Sequence, residues 1–124
     1  MNGINFIKYM GFDILQIDIS NEVASSDEMI DVFKRFYVFI EKYRKKENLL
    51  VIYNIGSTIL TKEWGSYWIP IMNDYYRKIE KIAIIYSSFE QLVFINLLLS
   101  KIKNESKIFN TYTEAVNWLA YGDK

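Results

Sequence analysis

The chain has 124 residues, 51% apolar and 17% aromatic, and its 15 basic and 15 acidic residues cancel to a net charge of zero. One domain with ample material for a core fits that length, while disorder and a global field for nucleic acid or an anionic membrane do not. There is no cysteine and no histidine, which excludes disulfides, thiol nucleophiles, thiolate zinc sites and the base of the usual serine triad.

Met1 to Lys8 lacks the charged start and apolar run of a signal peptide. The most apolar stretch, Gln91 to Ser100, is shorter than the roughly 20 residues that span a bilayer. The expectation is a cytoplasmic protein with no integral membrane segment. No cofactor and no metal are expected.

Ile4 to Tyr9 alternates like a strand, Met10-Gly11 suits a tight turn, and Phe12 to Ile19 reads as a second strand. Leu15, Ile17 and Ile19 share one face of it, Gln16 and Asp18 the other. Ser25 and Glu28 form a capping box before Met29, Val32, Phe33, Phe36, Phe39, Ile40 and Tyr43, which recur at helical spacing. Arg44-Lys45-Lys46 closes that helix, which accounts for the basic run without nucleic acid.

Leu49 to Ile55 is a continuous apolar run ending at Gly56, as a buried parallel strand requires. Thr61 is placed to cap a second helix with Trp64, Trp68, Ile71, Met72, Tyr75 and Ile79 on its apolar face. Pro70 interrupts it, so a kink or two pieces are expected there. Ile82 to Tyr86 follows as a buried strand. Ser88 with Gln91 opens a third helix to about Ile102, Lys107 to Asn110 is a last strand, and Thr111 with Glu114 opens a last helix.

The order β-β-α-β-α-β-α-β-α predicts an α/β domain over 1–124: a mixed sheet of about five strands, an N-terminal hairpin then parallel strands, with four helices. It resembles the STAS-like (SpoIIAA-like) fold, a β/α superhelix grouped with STAS/SEC14-like proteins. Lys107 to Leu119, KIFNTYTEAVNWL, is similar to the family's Phe-to-Ala-x-x-Trp-Leu ending, and Lys81 to Tyr86 is similar to its preceding strand. In regulatory members a phosphorylatable Ser follows the central strand within Asp-Ser-Ser/Thr-Gly. Here that stretch is Asn54-Ile55-Gly56-Ser57-Thr58, which departs from the motif: Asn54 stands near the expected Asp, and Gly56 precedes the hydroxyls.

Ser57, Thr58 and Thr61 lie between a strand end and a helix start, where a phosphate or other anion would meet free amides. Ser57 and Thr58 are the candidate phospho or anion site; an ordinary cap and turn explains the same residues. Ser87-Ser88 holds the analogous place after the next strand. A receiver-type phosphoacceptor is excluded because Asn54 stands at its place. The acids are scattered, and one isolated Gly56 makes no phosphate loop.

Trp64, Tyr67 and Trp68 cluster early in the second helix, either as core with incidental exposure or as a binding surface. The third helix carries Leu92, Val93, Phe94, Ile95, Leu97, Leu98 and Leu99 around its whole circumference, broken by Asn96. One small domain cannot bury such a helix on all sides. Phe94 and Leu98 are therefore expected in a partner or ligand surface, with Trp64, Tyr67 and Trp68. The expected function is a non-catalytic regulatory or protein-interaction domain, with a protein partner or itself as a homodimer. The alternative is an apolar, lipid-like small ligand between the second and third helices, partly implied by lipid-handling members of the resembled family. A cryptic enzyme using acids or Tyr ranks last.

Overall fold

The computed structural model describes residues 3–18, 26–42, 48–56, 62–75 and 77–122. Strand β1 (Gly3–Tyr9) joins β2 (Phe12–Asp18) in antiparallel register, with Tyr9 opposite Phe12. Met10 and Gly11 make the link, and both have positive φ, 49° and 85°. That pair of left-handed residues is the mark of a turn whose twist matches the strands.

Helix α1 (Ser26–Lys42), β3 (Leu49–Asn54), α2 (Lys62–Asp74), β4 (Ile79–Ile85), α3 (Phe89–Leu99), β5 (Glu105–Phe109) and α4 (Tyr112–Tyr121) follow. The sheet order is β1-β2-β3-β4-β5, parallel from β2 onward. Every crossover steps one strand in the same direction. Since crossovers share one hand, the three connecting helices fall on one face.

That face holds the larger core. Phe36 and Ile40 of α1, Trp68 and Met72 of α2, and Ile95 and Leu98 of α3 pack on Leu15, Ile17, Val51, Tyr53, Ile82 and Ile84. Helix α4 alone packs on the other face, where Ala115, Val116, Trp118 and Leu119 meet Ile14, Leu50, Ile52, Ala83 and Phe109. Alternate residues of β3 serve both cores, which is why that strand reads as continuously apolar. Each fully buried Ile or Leu contributes about 1.5–3 kcal/mol by leaving water.

Several expected boundaries shift. Helix α2 runs as one element through Pro70, so the alternative of two separate pieces falls. Pro70 and Ser66, whose carbonyl Pro70 leaves without an N–H donor, are both exposed residues, which places the lost bond on the outer side of the helix. Ile79 belongs to β4, not to α2, because the helix stops at Asp74 and a turn over Tyr75 to Lys78 redirects the chain. The last strand begins at Glu105 and α3 stops at Leu99, each ahead of the expected boundary. Ser25, Ile19, Arg44 to Lys46 and Thr61 lie outside the described residues.

Candidate functional site

At the carboxyl ends of β3 and β4 the chain builds a polar corner. Ser88 caps α3: its side chain accepts from the Gln91 N–H at 3.2 Å. The Gln91 side chain also reaches beyond the cap. Its Oε1 accepts from the Ser87 N–H at 2.7 Å, and its Nε2 donates to the Gly56 carbonyl at 2.9 Å. The Ser87 hydroxyl donates to the same carbonyl. Gln91 is 5% exposed, so these bonds replace lost water. Gly56 holds φ 52°, a left-handed conformation that turns its carbonyl without the cost a side chain adds. The corner ties two strand ends together. Ser57 and Thr58, expected beside it, lie outside the described residues.

The second feature is the outer side of α3. Phe89, Val93 and Leu97, spaced by four, are 72%, 47% and 62% exposed. They form one ridge along the helix. Beside its C-terminal half runs an apolar groove of roughly 210 Å³ between α2 and α3. Ile69, Phe94, Leu97 and Leu98 line it with Gly65 and Ser66, and Lys62 and Lys101 add the positive charges. Gly65 permits this close approach of the helices: a Cβ there would lie 2.7 Å from Leu98 Cδ2.

The expected surface residues divide. Tyr67 is exposed, and Phe94 is half-buried in the groove wall. Leu98 faces inward, and only its edge reaches the groove. Trp68 is wholly buried, its ring set edge-on to Tyr53 at 5.9 Å, so it belongs to the core and offers no surface. The Trp64 side chain lies outside the described residues. Sequence reasoning does not single out Phe89, Val93 and Leu97 together as the exposed ridge. Their i, i+4, i+8 spacing is legible, but an all-apolar helix has no polar face to mark its outer side.

Burial pushes the Tyr53 hydroxyl well above the ordinary phenol range, and a bond with Trp68 offsets part of that. Tyr75 is raised by burial and then by its 2.6 Å bond to Glu41 Oε1. Tyr112 is raised by burial and then by the nearby Asp18. Each shift runs away from neutrality, the wrong direction for a phenolate base. Among the described residues no group of three or more acids could hold a metal ion, and no helix is long and apolar enough to cross a membrane.

No family model matches the chain, and no curated protein matches it. One solved structure does: an uncharacterized protein of the DUF3478 family from Shewanella loihica PV-4, with a SpoIIAA-like fold. It aligns over 94% of this chain and 92% of its own at a TM-score of 0.69 and 12% identity. The fold is SpoIIAA-like. This agrees with the resemblance carried by the Trp118-Leu119 ending and with the hairpin-then-parallel sheet. In this SpoIIAA-like sheet the strand order never reverses. Open α/β sheets usually bind ligands in the crevice where it does, and the sheet described here provides no such crevice.

Proposed function

We propose that this SpoIIAA-like domain is a non-catalytic interaction module whose outer α3 face docks a protein partner. The exposed ridge of Phe89, Val93 and Leu97 carries the reading. Three large apolar side chains in line cost free energy in water, and covering them recovers it. A ridge beside a shallow groove suits the surface of another protein. The groove's roughly 210 Å³ is below the 300 to 1,000 Å³ typical of small-molecule pockets, which favours a partner over an apolar ligand. The lack of His and Cys in the sequence supports docking rather than turnover.

A photo-crosslinking amino acid at Val93, compared with one at exposed Lys34 on α1, tests the reading. Protein adducts at position 93 and none at position 34 are expected. A small molecule retained in native mass spectrometry, with no protein adduct at 93, would overturn it in favour of a ligand carrier.

A further inference from the structure

We infer that the segment docked along α3 is an acidic amphipathic helix, its apolar side chains in the α2–α3 groove and its carboxylates beside Lys62 and Lys101. This rests on the docking reading above and names the partner's chemistry.

The groove sorts charge. Its walls are apolar apart from Ser66 and the two lysines. Among the described residues no carboxylate lines it, and neither ammonium is held in an ion pair. Successive helical residues advance by about 100°, so Lys62, Ser66 and Ile69 share one side of α2. Glu63 and Asp74 lie about 100° around from that side. On α3, Phe94 and Leu97 line the groove, and the first-turn Glu90 lies a full turn before Phe94. Lys101 is held just past the helix end, where its N–H donates to the Leu98 carbonyl at 3.0 Å. Lysine stems lie along apolar surface and bring their charge to the rim. Apolar walls framed by positive charge complement a segment that is apolar in the middle and acidic at its flanks.

Spacing favours a helix. Helices α2 and α3 run in the same direction, since each links parallel strands. They approach where Gly65 meets Leu98. Lys62 precedes that contact by three residues and Lys101 follows it by three, so the lysines bracket the groove about 9 Å apart along its length. In a partner helix, residues seven apart share a face and are separated by about 10.5 Å. Acids at its first and eighth positions then meet the two lysines, and apolar residues at its fourth and fifth enter the hollow between them. An extended strand covers that distance in about three residues, which would set the two acids on opposite faces. Leu97 belongs to both the groove wall and the exposed ridge, so a helix seated here also covers part of the ridge.

Fluorescence anisotropy of the full chain with two blocked, labelled helical peptides tests this. Both carry a central Leu pair at the fourth and fifth positions. One has Glu at the first and eighth positions, the other Lys. The Glu peptide is expected to bind about tenfold more tightly, since two rim contacts are attractive rather than repulsive. Lys62→Glu with Lys101→Glu should invert the preference, and Lys62→Gln with Lys101→Gln should abolish it. Both positions are exposed, and thermal melts confirm that each variant folds. Raising salt to about 1 M should erase most of the preference. Equal affinity for the two peptides, or a preference that survives the double reversal, overturns the inference in favour of an uncharged apolar occupant. If neither peptide binds while protein adducts form at position 93, the partner's chemistry is wrong and the docking reading stands. If the adducts are missing too, both fall.

Discussion

The Gln91 carboxamide reaches the Gly56 carbonyl at 2.9 Å across a sequence separation of 35 residues. With the Ser87 N–H held on its other end at 2.7 Å, one buried side chain from α3 clasps the ends of β3 and β4. Gln91→Leu keeps the approximate volume and removes both bonds. It is expected to cost about 1–3 kcal/mol, as the loss of two hydrogen bonds at a partly buried corner does. Urea unfolding measures this, and an unchanged midpoint would show that water takes over the corner.

Tyr53 makes stability depend on alkaline pH. Its hydroxyl is buried between α2 and β3, 3.8 Å from the Met72 sulfur, and its pKa is raised in the fold. The stabilisation is fully present below the unfolded phenol value of about 10 and is lost as pH rises through that value toward the folded one. The slope is at most about 1.4 kcal/mol per pH unit for one such group. Tyr53→Phe should flatten the decline, while costing about 0.5–1.5 kcal/mol near neutrality through the lost hydrogen bond. Urea melts from about pH 9 to about pH 11 compare the two chains.

Gly65 and Leu98 are coupled. Gly65→Ala gains up to about 1 kcal/mol of helix propensity but drives a methyl against the end of Leu98. The net change is expected within about 1 kcal/mol of zero. Leu98→Ala should cost about 2–5 kcal/mol. In that background Gly65→Ala should stabilise, because the space it needs has been vacated. A double-mutant cycle by chemical denaturation reads the coupling, and simple additivity would show that the helices shift apart instead.

The Tyr9 hydroxyl donates to Asn117 Oδ1 at 2.6 Å, joining edge strand β1 to α4. Tyr9→Phe is expected to cost about 0.5–1.5 kcal/mol. Hydrogen exchange should quicken in β1 far more than in β4, which is held by strands on both sides. Equal acceleration in both would mean that the bond serves global stability only.

The elements were legible where one periodicity dominated. Leu49 to Ile55 announced a strand buried on both faces, and Ser88 and Thr111 announced helix starts that the structure places at those residues. Pro70 left two pieces open, because local propensity weighs the missing hydrogen bond without the packing of Trp68 and Met72 that holds α2 as one element. Ile79 misled because it falls four residues after Tyr75, a helical interval that the turn between them breaks. The candidate surface was half legible. An all-apolar α3 implied an uncovered side, but which side depended on where the sheet lay, and Leu98 and Trp68 turned inward. Gln91 looked like half of a capping box, since nothing local links it to Gly56.

The sheet order that matches chain order has a bearing on how the molecule is made. Each strand pairs with the one synthesised just before it, so a nascent chain can lengthen its sheet as it leaves the ribosome, with no strand held open for a later insertion. Short loops also close at smaller entropic cost. Helix α4, made after all five strands, seals the face that the other helices leave bare. Until its Trp118 docks, Ile14, Leu50 and Ile52 stay wet, and a chain truncated before Thr111 would carry that apolar surface into solution.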